Sequence, residues 1–149
     1  MKQGPILLCE DSPHDLELTR DAFAKLRVGN AIDVARDGVE ALDYLLRRGA
    51  FSGRAPGNPV LVLLDLKMPR VDGLEVLRTI RADAALKTIP VVVLTSSREE
   101  PDVALSYQLG VYAYVVKPVD SEQFVDAIER LGLFWLVVNE PPPAGGARG

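Results

Sequence analysis

The chain is short of the residues that mark several common chemistries. It has one cysteine, Cys9, so an internal disulfide is excluded. It has one histidine, His14, which leaves a zinc cluster without its usual ligands; His14 is expected on the surface of a helix. No hydrophobic run approaches the ~20 residues that cross a bilayer. The N-terminal MKQGP lacks the long apolar stretch and cleavage site of a secretory signal. Basic residues form no block longer than Arg47-Arg48, and the formal net charge is -4. That balance argues against a general nucleic-acid or membrane-surface role. A cytoplasmic protein is the expectation.

What is present is an ordinary globular composition. The chain has 149 residues, 48% hydrophobic and 26% charged, enough for one domain with a real core. Five short apolar runs recur, at residues 6–9, 31–35, 60–64, 90–94 and 111–116. Those richest in Val, Leu and Ile show little polar alternation, as expected of strands buried on both faces of a parallel sheet. Cys9 falls inside the first run and reads as a small buried hydrophobe.

Helical spacing fills the intervals. Ser12 is placed to cap a first helix, with Pro13 at its first position and Asp15 closing a capping box; Leu18, Ala22 and Leu26 follow at four-residue steps. Leu42, Leu45 and Leu46 mark a second helix, and Leu74, Leu77 and Ile80 a third after Asp72-Gly73. Residues 101–109 form a weaker fourth, stopped by Gly110. Phe124, Ile128 and Leu131 mark a fifth. Strand then helix, five times over, predicts an α/β, doubly wound (βα)5 sheet with helices on both faces. The loop at residues 48–59 is long, and the sequence offers no reason for its length. The last residues, 141–149, are low in complexity and expected to be disordered.

Sites in open parallel sheets form at the carboxyl ends of the strands, where the strand order reverses. The expected strand ends carry Glu10 and Asp11, then Asp65, then Thr95 with Ser96 and Ser97, then Lys117-Pro118. With strand order 2-1-3-4-5 the three carboxylates converge, and Thr95 and Lys117 flank them. Three carboxylates suit a hard cation with oxygen ligands, and Mg2+ fits because it keeps waters and takes phosphate oxygens. A lysine and a hydroxyl suit the other oxygens of a phosphoryl group.

Taken together, Glu10-Asp11, the run from Leu63 to Gly73 (LLDLKMPRVDG), Val92 to Ser97 (VVLTSS) and Tyr114 to Lys117-Pro118 (YVVKP) resemble the receiver domain of bacterial two-component response regulators. The resemblance covers residues 5–131 and implies a flavodoxin-like fold. It implies that Asp65 accepts a phosphoryl group from a histidine kinase. It also implies that Glu10, Asp11, Asp65 and the backbone carbonyl of Lys67 arrange Mg2+. Lys117 would pair with the phosphoryl group and Thr95 hydrogen-bond to it, while Tyr114 swings inward when Thr95 moves. The Lys117-Pro118 bond would be cis, and Lys67 and Ser97 would tune dephosphorylation. A finer resemblance, to the single-domain regulators of bacterial and cyanobacterial phytochrome kinases, rests on Glu10-Asp11-Ser12-Pro13, the long loop, and Phe134-Trp135-Leu136.

On that reading residues 1–131 form the receiver and 132–149 an arm and tail with no output domain. The protein is then a phosphorylation-controlled binding switch rather than a turnover enzyme. Phe134 and Trp135 either fold back on their own domain or form an arm that pairs with a second copy; the dimer is the expectation, through that arm, the face of the fourth helix and fifth strand, or both. Three alternatives are weaker. A haloacid-dehalogenase-type phosphatase needs a second aspartate where Lys67 stands. A flavodoxin-like cofactor binder needs a phosphate cradle where two acids stand. A receiver-like fold serving as a constitutive binding module would leave Asp65 unused.

Overall fold

The computed structural model describes residues 4–25, 29–96, 108–111, 113–117, 120, 122–123 and 125–126. Five strands, β1 (Ile6–Cys9), β2 (Ile32–Ala35), β3 (Leu61–Asp65), β4 (Val91–Thr95) and β5 (Ala113–Val116), form one sheet in the order β2-β1-β3-β4-β5. All four pairings are parallel. The predicted order and architecture are the observed ones. The third and fourth strands run one residue further than the apolar pattern alone indicates. Asp65 pairs with Leu94 and Thr95 with Val116, so both polar residues sit inside the ladder.

The central strands are buried on both faces, and two hydrophobic cores result. One lies beneath α2 (Gly38–Leu46) and α3 (Gly73–Ala82) and holds Leu7, Cys9, Val62, Leu64, Val91 and Val93. The other lies beneath α1 (Pro13–Lys25) and holds Ile6, Leu8, Leu61, Leu63, Val92 and Leu94. Alternate residues of each strand serve opposite cores, which is why the runs show no polar alternation. Cys9 is fully buried, and burial pushes its thiol pKa up, as do the nearby Asp65 and Glu10 charges. It is a packed hydrophobe, as expected.

The buried stripe of α1 is Leu16, Thr19, Ala22 and Phe23. The expected stripe of Leu18, Ala22 and Leu26 is therefore rotated: Leu18 is only half-buried, and Leu26 lies outside the described residues. Thr19 is tolerated inside because its hydroxyl donates to the Asp15 carbonyl at 3.0 Å. On α3, Leu74, Leu77 and Ile80 are buried as predicted. On α2, Leu45 is buried while Leu42 and Leu46 are partly so; Tyr44 and Ala41 take the inner positions.

The long loop is anchored by one arginine. Arg54 lies over the Tyr44 ring, 4.2 Å from its centroid, and donates to the carbonyls of Tyr44 (2.9 Å) and Gly57 (2.8 Å). Phe51, in a short 3-10 turn, meets the Tyr44 ring edge-on at 5.3 Å. Of the fourth and fifth predicted helices, the described residues include helical Gln108 and helical 122–123 and 125–126. Phe124, Ile128 and the expected domain boundary at Leu131 lie outside them, as does the 132–149 extension with Phe134 and Trp135. No helix among the described residues is long and apolar enough to cross a membrane.

Candidate functional site

Glu10, Asp65, Thr95 and Lys117 stand at or one step past a strand end, and ladder geometry holds them there; Asp11 and Lys67 lie two residues past β1 and β3, and Tyr114 lies within β5. The Glu10 amide extends β1 by donating to the Ala35 carbonyl at 2.9 Å. The Lys117 amide extends β5 by donating to the Thr95 carbonyl at 2.8 Å. Asp65 ends β3 and Thr95 ends β4. Glu10, Asp65 and Thr95 are buried, an unusual set of polar groups for an interior. Asp11 is exposed.

The loop after β3 is folded tightly back. The Gly73 amide donates to the Leu66 carbonyl at 2.9 Å, and the Lys67 amide donates to Asp65 Oδ1 at 3.0 Å. Gly73 is required there, because a Cβ would lie 2.2 Å from the Asp65 carbonyl oxygen. The loop is tied to α2 as well. Asp37 caps α2 by accepting from the Glu40 amide at 2.8 Å, and it takes two hydrogen bonds from Arg70 at 3.0 Å each. Burial raises the Asp37 pKa, but the Glu40 amide and Arg70 outweigh it and hold the carboxyl below the ordinary value.

Lys117 is the hub. Its ammonium is 2.8 Å from Asp65 Oδ2, 3.0 Å from Asp15 Oδ2, and 3.0 and 3.2 Å from the two oxygens of Glu10. Burial pulls the Lys117 pKa down, but the hydrogen bonds it donates to Asp65, Glu10 and Asp15 more than offset it, and the net shift is upward. Burial pushes the Glu10 pKa up to about 7, with the Asp65 charge adding to it, against the Lys117 and Ser12 hydrogen bonds.

Asp15 enters the site although the sequence reading gave it another task. Ser12 does cap α1, its Oγ accepting from the Asp15 amide at 3.2 Å. The other half of the box is not made by Asp15. Glu10 Oε2 takes the Ser12 amide at 3.1 Å, which leaves the Asp15 carboxylate to turn toward Lys117. The signal that would have found it is its position in the first turn of the helix that follows the acidic pair.

The residues present fit a divalent cation. Glu10, Asp11 and Asp65 each offer a carboxylate oxygen, all within 4.8 Å of one another. Glu10 Oε1 is fully buried and accepts no hydrogen bond, although the Lys117 ammonium is near. An anionic oxygen left short of donors inside a protein is an available ligand for a hard cation.

Comparison with known proteins agrees with this geometry. The response regulator receiver domain model matches residues 6–129. The chain belongs to that family. FilR2 of Methanothrix harundinacea, named a probable methanogenesis regulatory protein, is 41% identical over 92% of this chain and 86% of its own. Response regulator Rcp1 of Synechocystis is 37% identical over 93% of each chain. Among solved structures, the bacteriophytochrome response regulator RtBRR is 57% identical, with a TM-score of 0.86 over 99% of this chain and 87% of its own. The phosphorylated cyanobacterial phytochrome response regulator RcpA is 38% identical, with a TM-score of 0.75 over 91% of this chain and 95% of its own. The Mn2+-bound form of Rcp1 is 35% identical, with a TM-score of 0.74 over 95% of this chain and 100% of its own. The protein is thus a response regulator of the signalling class, homologous to phytochrome response regulators, and the phosphatase and cofactor-binding alternatives are not favoured.

Exposed Lys67 lies in the loop after Asp65, His14 is exposed on α1, and Tyr114 is half-buried at the edge of the α2–α3 core. Ser97, Pro118 and so the Lys117-Pro118 bond, and nearly all of the predicted fourth helix lie outside the described residues.

Proposed function

We propose that Asp65 accepts a phosphoryl group from a phosphohistidine of a sensor kinase, and that the resulting acyl phosphate switches a protein–protein contact. The observation that carries this reading is the Lys117 ammonium held 2.8 Å from the Asp65 carboxylate, beside a three-carboxylate cluster. In the step, an Asp65 oxygen forms a bond to phosphorus, the phosphorus–nitrogen bond of the donor breaks, and the donor imidazole keeps the electron pair. Glu10, Asp11, Asp65 and the Lys67 carbonyl would hold Mg2+, which supplies positive charge for the phosphoryl oxygens when bound. Lys117 neutralises a further oxygen, and its charge is in place beforehand, so little reorganisation is needed. Thr95, buried at the end of β4, would hydrogen-bond the phosphoryl group. Movement of Thr95 then couples to half-buried Tyr114 across the neighbouring strand. Lys67 and Ser97 set the lifetime of the adduct.

The likeness to RtBRR and RcpA supports a bacteriophytochrome kinase as the donor. A cytoplasmic setting follows from the chemistry, because the kinase histidine is charged from ATP. Homodimerisation through Phe134 and Trp135, through the face of the predicted fourth helix and β5, or through both, completes the reading. The test is phosphotransfer from a purified, autophosphorylated bacteriophytochrome kinase to this chain. Rapid loss of label from the kinase, with label appearing on wild type but not on Asp65→Asn, is expected. Retention of label on the kinase in the presence of wild type counts against the pairing.

A further inference from the structure

A primary ammonium has three N–H donors. Lys117 directs them to Asp65 Oδ2, Asp15 Oδ2 and Glu10 Oε2. Under the reading given above, on which this inference rests, two of those acceptors have other work. Glu10 turns to the metal, and Asp65 becomes the acyl phosphate. Asp15 has neither task. It sits on the capped first turn of α1, with its amide held by Ser12 Oγ and the Ser12 amide held in turn by Glu10. Its side chain is 27% exposed, so its charge stays solvated on one side, while that of Lys117 is only 14% exposed. We infer that Asp15 is a positioning residue for the phosphoryl transfer: it tethers the Lys117 ammonium from the α1 side, so that the lysine stays aimed at the phosphoryl position once Glu10 and Asp65 are engaged.

The competing account is a partly exposed ion pair that contributes little. The two are separable because a tether acts only through the lysine. Phosphoryl uptake from acetyl phosphate with Mg2+ is followed by intact mass in wild type, Asp15→Asn, Lys117→Ala and the double variant, with Asp65→Asn as the blank. Asn keeps the size of the side chain and leaves the backbone cap intact. Asp15→Asn is expected to slow uptake about fivefold in the wild-type background and to add no further loss in the Lys117→Ala background. Asp15→Glu should recover most of the rate. A second readout needs neither metal nor a lysine variant. Hydrogen exchange of the Lys117 ammonium, followed by NMR, should be faster in Asp15→Asn than in wild type, and it decides alone if Lys117→Ala does not fold. Equal losses in both backgrounds, or uptake and exchange unchanged in Asp15→Asn, overturn the inference. Uptake by Asp65→Asn at the wild-type rate overturns the site reading itself, and is distinguishable from a null result at Asp15.

Discussion

Asp65 Oδ2 and Lys117 Nζ, 52 residues apart in sequence, meet at 2.8 Å between the ends of β3 and β5. The strand between them, β4, carries Thr95 at its end, so under the proposed function all three would border the phosphoryl group. The ammonium also offsets Glu10, whose side chain is fully buried. Three carboxylates around one lysine leave the pocket electronegative, and that surplus is what a divalent cation would neutralise.

Removing the lysine should therefore destabilise the metal-free protein. Lys117→Ala leaves Glu10 and Asp65 buried without their counter-ion, which costs about 3 kcal/mol. Urea unfolding measures it. Addition of Mg2+ should recover part of the loss, because the cation replaces the missing charge. The variant should still accept a phosphoryl group, slowly.

The pH dependence follows from Glu10. Its folded pKa is about 7, above the ordinary value of 4.5. Between those values the folded chain holds more protons than the unfolded one. The contribution of Glu10 to metal-free stability is thus fully present below pH 4.5 and is lost as pH rises through about 7. Metal affinity runs the other way, since the ligand must be deprotonated. Mg2+ affinity, measured by titration calorimetry, should fall toward tenfold per pH unit below about 7. Glu10→Gln should remove this pH dependence.

Most of the fold was legible because it rests on short apolar runs whose two faces are both buried. Alternation is absent where helices cover both sides, and Leu61–Asp65 and Val91–Thr95 show this directly. The clustering of Glu10, Asp65 and Lys117, with Thr95 at the neighbouring strand end, was legible because these residues fall at the ends of those runs. Asp15 was misassigned because its spacing from Ser12 suits a capping box, and sequence spacing cannot show that Glu10 supplies that cap. The long loop was opaque for a different reason. Arg54 anchors it by stacking on Tyr44 and donating to backbone carbonyls, and such contacts leave no periodic trace. The rotation of the α1 stripe reflects Thr19, whose bond to the Asp15 carbonyl lets a polar residue occupy an inner position.

The Asp65 loop tolerates no side chain at Gly73. An added Cβ would lie 2.2 Å from the Asp65 carbonyl oxygen and 2.6 Å from Leu66 Cα, both backbone atoms that cannot swing away. Gly73→Ala should cost about 3 kcal/mol in urea unfolding. It should also weaken Mg2+ binding, since any relief moves Asp65. A near-neutral Gly73→Ala would show that the loop is softer than its hydrogen bonds indicate.

Arg81 ties the end of α3 to the segments on either side of β4. Its guanidinium donates to the carbonyls of Leu109 (2.7 Å), Lys87 (2.9 Å) and Ile89 (3.0 Å). A planar, multi-donor group is needed for that geometry. Arg81→Lys should be nearly as damaging as Arg81→Ala, at about 2 kcal/mol in thermal or urea unfolding.

The central claim is that Asp65 is a metal-dependent phosphoacceptor. Intact mass after incubation with acetyl phosphate and Mg2+ tests it, with Asp65→Asn and a chelated sample alongside. A single phosphoryl adduct on wild type, lost in the variant and in the chelated sample, is the predicted result. An adduct on Asp65→Asn equal to that on wild type would contradict it, as would an adduct indifferent to chelation.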